Sequence, residues 1–412
     1  MNETLGADFF RHEYARLVAM LVRRVGARHL EAVEDAVQSA LLVAVQAWPR
    51  SALPDNPTAW LHRVAQRHLA SELRRTIRHG ELAAEHAGPA ESATDAPEVA
   101  LSGDVRDDLL RMLFVCCDDA LPIESQVVLS LKTLCGLGVG EIAARLFVTE
   151  ANVYKRLERA RVRLREAPVP TGELTPTQLA SRLGAVHAVL YTLFTEGYLS
   201  SHAEGAIRRE LCEDATRLTT LLAEHPVGAT PETCALLALM HLHLARMPAR
   251  QDGSGGLLLL EEQDRSRWDQ GEIHRGLSWL ARAAQGDVFS RYHAEAGIAA
   301  EHCLAPSFAE TRWERIVECY TLLERLAPSA LHTLNRALAV AEHRGPEHGL
   351  ALLAGLEPPS WLQGSYLWSA VQSDLHRRAG HAEVARRYRD AALGSAPSEV
   401  IREALARRLR VR

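Results

Sequence analysis

Apolar residues recur along this chain at helical spacing, and no stretch alternates apolar with β-branched polar residues for long enough to build a sheet. That absence constrains the fold more than any single motif does. Ala, Leu, Arg and Glu dominate while aromatics reach only 5%; Ala and straight-chain side chains lose little rotamer freedom in a helix. The expected fold class is therefore all-α. With 412 residues, 47% of them apolar, the chain can bury several cores, and at roughly 100–200 residues per domain two to four are expected.

The formal net charge of −5 rules out a global attraction to nucleic acid, so any DNA contact must come from local basic patches. Seven cysteines form no C-x-x-C pair. The adjacent Cys116 and Cys117 are poorly placed to share a metal, and reduced, buried thiols are the expectation, with no metal and no cofactor. The start, Met1-Asn2-Glu3-Thr4, lacks the basic and apolar runs of a signal peptide. The runs Ala40 to Val45 and Leu257 to Leu260 are too short to span a bilayer, so a soluble, cytoplasmic protein without a membrane partner is expected.

Composition divides the chain into five segments. Residues 1–79 read as amphipathic helices broken between Pro49 and Pro57. Residues 80–104 carry Glu81, Glu85, Glu91, Asp95, Glu98 and Asp104 with no Lys or Arg, an acidic linker. It reads as a solvated tether, with mimicry of DNA against a basic surface as the sharper alternative. Residues 105–167 form a second helical unit, and Pro168, Pro170, Gly172 and Pro176 mark a linker over 168–176. The extension, 177–412, is helical and repeat-like toward its C-terminal end. There Gly345 and Gly380 sit in similar turns, near the ~34-residue period of tetratricopeptide units. Val384, Tyr388 and Ala391 are expected on one packing face.

The sharpest local signal runs from Gly140 to Leu157. Ile142, Ala143, Leu146, Val148, Val153 and Leu157 fall where two short crossed helices must pack, and Ala143-Ala144 allows close approach. Thr149 is placed to cap the second helix. That helix carries Lys155, Arg156, Arg159, Arg161, Arg163 and Arg165, the form that enters a major groove with its early residues at base edges. Asn152, Tyr154 and Lys155 are candidates for base contacts, and Arg156, Arg159 and Arg161 for phosphates. Arg163 lies farther along. A solvated basic face on an ordinary helical hairpin is the competing reading.

A family likeness enters with the first segment. Val33-Glu34-Asp35-Ala36-Val37-Gln38-Ser39-Ala40-Leu41-Leu42, then Ala47-Trp48, resembles the helix of sigma region 2 that grips the polymerase clamp. Asn56-Pro57-x-Ala59-Trp60-Leu61, then Leu73-Arg74-Arg75, is similar to the part of region 2 that melts and reads the −10 element. Leu113-Phe114-x-Cys116-Cys117 through Ala120-Leu121-Pro122 to the helix-turn-helix resembles region 4, which reads the −35 element. The chain thus resembles sigma-70 family factors of the extracytoplasmic-function type. Leu193-Phe194-x-Glu196-Gly197-Tyr198, Pro248-Ala249-Arg250 and Leu334-Asn335-Arg336-Ala337 resemble the subgroup with a tetratricopeptide-like C-terminal extension. Arg67 and Ser71 depart from the frequent Asn and Asp of region 2, and Thr195 and Leu244 from the usual Asn and Asp of the extension.

The resemblance implies core RNA polymerase, at its clamp and flap, and promoter DNA as partners. Asp35, Gln38, Leu42 and Trp48 would face polymerase; Arg63, Arg67, His68, Arg74 and Arg75 would band phosphates, with His62 or Trp60 stacking on a flipped base. Trp60 and Trp48 read equally as packing anchors. In the extension, Glu196 and Tyr198 together with Asp264-Arg265-Ser266-Arg267-Trp268-Asp269 are a possible regulatory site for a protein or ligand, or else a buried ion-pair network. The resemblance also implies control of activity in cis by the extension.

Other classes fit less of the chain. An enzyme is not expected: no His-Glu-x-x-His occurs, and His241-x-His243 places two imidazoles on different helix faces. Asp252 to Gly256 lacks the Lys-Ser/Thr that completes a phosphate loop. A stand-alone helix-turn-helix regulator with a ligand-sensing repeat domain leaves the first segment unexplained, and a helical scaffold leaves the basic helix unexplained.

Overall fold

The structure is a computed structural model describing residues 7–50, 53–83, 105–166, 174–200, 207–253 and 255–409. Most of the two expected linkers, 80–104 and 168–176, lies outside the described residues. The helices are α1 (Ala7–Val25), α2 (Leu30–Ala47), α3 (Pro57–Ala83), α4 (Val105–Cys116), α5 (Ile123–Thr133), α6 (Val139–Arg145), α7 (Glu150–Glu166) and α8 (Pro176–Tyr198). They continue with α9 (Arg209–Glu224), α10 (Pro231–Leu244), α11 (Gln270–Ala283), α12 (Arg291–Leu304), α13 (Trp313–Leu326) and α14 (Ala330–Arg344). The last five are α15 (Pro346–Ala354), α16 (Ser360–Gln363), α17 (Tyr366–Arg378), α18 (Ala382–Gly394) and α19 (Glu399–Arg408). Among the described residues there is no strand, only an isolated bridge between Gln251 and Leu257. The fold is all-α.

Many of these helices begin where the local chemistry says they should. The Thr230 side chain accepts from the Thr233 amide with Pro231 directly after it, and Asp269, Ser329, Ser365 and Ser398 cap α11, α14, α17 and α19 in the same manner. One boundary differs from expectation. Helix α3 continues to Ala83, past the start of the acidic segment, because nothing between Gly80 and Ala83 forces a helix to stop.

The chain divides into two compact units, 1–189 and 190–412, and the division falls inside α8 rather than at the proline-rich stretch before it. In the first unit α1, α2 and α3 pack together through Leu17, Val18 and Leu21, Leu30, Val33, Val37 and Ala40, and Leu61, Ala65 and Leu69, all buried at helical spacing. Helices α4 to α7 close around Leu113, Phe114, Val128, Leu131, Ile142, Val153 and Leu157. Arg182, only 5% exposed, fastens α8 to this unit by donating to Asp118 Oδ2 (2.9 Å) and the Phe114 carbonyl (2.9 Å).

In the second unit successive helices pack on their neighbours, α10 against α11 and α12, α13 against α14, α14 against α15, and α17 against α18. At Gly276 a Cβ would meet Leu242 Cγ at 2.7 Å, so α10 and α11 lie too close for any side chain there. Gly345 (φ 96°) and Gly380 (φ 81°) make the turns between α14 and α15 and between α17 and α18. The packing face of α18 differs from expectation. Ala385 and Ala392 are fully buried, Val384 and Tyr388 are half-buried, and Ala391 is exposed, so the face is rotated by one residue.

Candidate nucleic-acid interface

Helices α6 and α7 form the helix-turn-helix. The Glu141 carboxylate accepts from the Gly138 amide at the start of α6, and Thr149 Oγ1 accepts from the Asn152 amide (3.3 Å) at the start of α7. Between them Phe147 takes φ 53° and stays half-exposed. Val153, Leu157, Ala160 and Leu164 form the buried stripe of α7 at spacings of four, three and four residues. The opposite face is cationic. Tyr154, Lys155 and Arg159 are exposed, Asn152 and Arg156 partly so, and no ion pair to a described residue engages Lys155, Arg156 or Arg159.

Arg161 is placed differently from its neighbours. Its Nη2 donates to Glu34 Oε2 (2.7 Å) on α2, where Thr133 Oγ1 also donates to Oε1 (2.8 Å). Arg165 pairs with Glu31 on the same helix. The cationic helix is thus split: its N-terminal half presents charge outward and its C-terminal half is tied to α2. Glu34 is the functional residue that sequence reading passed over, although a signal was there. It lies in helical register with Leu30, Val33 and Val37, a carboxylate at a core position, and such a group needs a partner.

On α3, Arg63, Arg67 and Arg74 share one exposed face, with His68 and Arg75 on the adjoining one. Arg75 pairs with Glu72 (2.8 Å), and Arg74 Nε donates to the Ala70 carbonyl (3.1 Å). The two candidates for base stacking sit elsewhere. His62 is half-buried beside Gln66 (3.3 Å), and burial together with Arg24 and Arg16 pushes its imidazole below the ordinary value. Trp60 packs on Trp48 (centroids 5.5 Å), which stacks on Phe10 (5.9 Å). On α2, Asp35, Gln38 and Leu42 line one exposed face, extended by Val45, while Trp48 belongs to the aromatic cluster instead.

The seven cysteines are free. Burial pushes Cys117 up to about 12, with the Ser130 hydroxyl opposing, so it remains an unreactive thiol.

In the second unit the residues singled out as a possible regulatory site fall into two networks. Glu196 is fully buried and accepts from Ser200 Oγ (2.7 Å). Tyr198 lies under the Arg250 guanidinium (3.6 Å to the ring centre) and beside His243 (4.5 Å). In the other network Asp264 accepts from the Ser266 amide (2.9 Å) and hydroxyl (2.7 Å). Arg265 crosses the buried Trp268 ring (4.5 Å) and donates to the Ala305 carbonyl (2.8 Å), and Asp269 caps α11. This geometry is that of a pinned turn. His241 and His243 indeed face different partners, His241 Nδ1 meeting Glu272 Oε2 at 2.6 Å.

Comparison with known proteins follows the same division. The model of sigma-70 region 2 matches residues 10–79 and that of sigma-70 region 4 matches residues 111–164. A family of unknown function, DUF6596, matches residues 182–284. An uncharacterized protein of Rhizobium meliloti (strain 1021) is 36% identical over 374 residues, covering 90% of this chain and 87% of its own. The ECF RNA polymerase sigma factor SigM of Mycobacterium tuberculosis is 28% identical over 157 residues, 38% of this chain and 74% of its own. No solved structure matches. No helix among the described residues is long and apolar enough to cross a membrane. With both regions matched in order on the helices that carry the exposed face of α2 and the cationic face of α7, the chain carries regions 2 and 4 of the sigma-70 family of RNA polymerase sigma factors, and the likeness to SigM supports a sigma factor of that family.

Proposed function

We propose that this sigma factor is of the extracytoplasmic-function type and that its helical extension, tetratricopeptide-like toward the C-terminus, controls it in cis. The carrying observation is the exposed, unengaged cationic face at the start of α7, next to a separate exposed face on α2. In this reading Asp35, Gln38 and Leu42 meet the clamp of core polymerase, and α7 reads the −35 element with Asn152, Tyr154 and Lys155 at bases and Arg156 and Arg159 at phosphates. Arg63, Arg67, His68, Arg74 and Arg75 hold the −10 strand by its backbone. Such a factor makes and breaks no covalent bond; it lends recognition to an enzyme that does.

The likeness to SigM over 157 residues supports the subtype, and the paired helices turning at Gly345 and Gly380 support the repeat character. The test is initiation by core RNA polymerase with the purified chain and with a version ending before Thr171. We expect promoter-specific transcripts from the whole chain and altered output from the truncated one. Duplex binding without core enzyme and without transcripts would instead identify a stand-alone regulator. Equal, equally regulated output from both chains would remove the role in cis.

A further inference from the structure

We infer that the C-terminal unit binds a small organic anion, a carboxylate or phosphate head on an aromatic or branched apolar body, in the cavity enclosed by α12, α13, α14, α17 and α19. The cavity has a volume of about 400 Å³, within the roughly 300–1,000 Å³ of small-molecule sites. It does not include the Asp264-to-Asp269 turn.

One wall is aromatic. Phe308 and Trp313 meet edge to face (centroids 5.2 Å, 65°), and the His302 ring meets Trp313 the same way (5.5 Å, 71°). Such rings accept an apolar body at low entropic cost, because they are already held by each other. The opposite wall is ionic. Arg378 pairs with Glu342 (2.6 Å), Arg377 with Asp374 Oδ1 (2.8 Å), and Arg408 reaches Asp374 Oδ2 at 3.3 Å. Three guanidiniums therefore face two carboxylates on this wall, and Glu261, exposed at the rim, is the third carboxylate of the lining, so the selection of an anion rests on Arg408 rather than on net charge. Burial would raise Asp374, but Arg408, Arg377 and Arg378 hold its carboxyl below the usual range, so it stays ionised and offers nothing to a second cation.

Arg408 is the cation with most to give, since a single 3.3 Å contact leaves other guanidinium N–H groups for a forked bond to a carboxylate or phosphate. The occupant is small because the site is covered at one end: Arg407, beside Arg408 on α19, donates to the Leu257 carbonyl, holding α19 against the loop that supplies Leu259 and Leu260 to the lining.

The test uses the full chain with 3-phenylpropionate, phenyl phosphate and the oppositely charged 3-phenylpropylamine, followed by ligand-observed NMR and calorimetry. We expect saturable binding of at least one acid, none of the amine, and about tenfold weaker binding in Arg408→Gln. Asn335→Leu, at an exposed position on the lining, carries the comparison if Arg408→Gln does not fold, and it should weaken binding several-fold. Tighter binding of the phosphate or of the carboxylate assigns the head group. Absence of saturable binding by both acids, equal binding of the amine, or unchanged binding in the folded variants would overturn the inference. The measurement reads occupancy alone, so its failure and failure of the proposed control in cis are told apart.

Discussion

Adjacent arginines on one helix carry different tasks here. Arg159 is exposed on the outer face of α7, whereas Arg161 is bonded to Glu34. Arg159→Ala should lower promoter affinity across sequences and reduce the salt slope by about 1, as loss of one phosphate contact does. Asn152→Ala should shift −35 preference with little change in that slope. Arg161→Ala should act on stability more than on DNA, and Glu34→Ala should lower the unfolding free energy by about 2 kcal/mol, because it removes the buried carboxylate that accepts from Arg161 and Thr133 while Arg161 keeps only the longer contact to Glu31. Denaturant unfolding and binding titrations over a range of salt separate these outcomes. Sequence reading treated the cations of α7 alike, since helical register says which residues share a face but not what that face meets.

At the scale of elements, capping and turn chemistry make direct predictions. Thr149→Ala removes the cap of α7 and should destabilise the first unit by about 1 kcal/mol. Gly136 links α5 and α6 with φ +63°, and a Cβ there would stand 2.7 Å from Arg11 Cγ. Gly136→Ala should therefore be the more damaging change, by about 2 kcal/mol or more, measurable as a lower denaturant midpoint. The Thr149 cap was legible from spacing and residue type, as were the turns at Gly345 and Gly380, whereas the approach of Gly136 to Arg11 was not. The burial of Ala392 rather than Ala391 was not. A helix with several small residues offers nearly equivalent faces, and the neighbour, here α17, chooses between them.

Across the whole molecule, pH couples to the buried imidazoles of the second unit. Burial, with Arg246 and Arg265 adding to it, lowers His302 from 6.5 to about 3, and burial with Arg246 and Arg250 pushes His243 well below its ordinary value. Both stay neutral when folded, while the unfolded chain takes up protons near pH 6.5. Stability should accordingly fall as pH drops below that point, by up to about 1.4 kcal/mol per pH unit for each histidine. Urea midpoints at pH 7 and pH 5.5 check the slope, and His302→Phe should flatten it. An unchanged slope in that variant would mean that the ring is protonated in the folded state.

From spacing and composition, the sequence determined the helical class and the helix-turn-helix with its Thr149 cap, because each of these depends on residues within a few turns of one another; the order of the two sigma regions was read from resemblance to a known family. Tertiary structure alone decided that Arg161 meets Glu34, that Arg182 binds α8 to Asp118, and that α12, α13, α14, α17 and α19 line a cavity bordered by Arg408. Those outcomes rest on which helix faces come together, and residues 127 positions apart in the case of Glu34 and Arg161 leave no trace of their contact in local pattern.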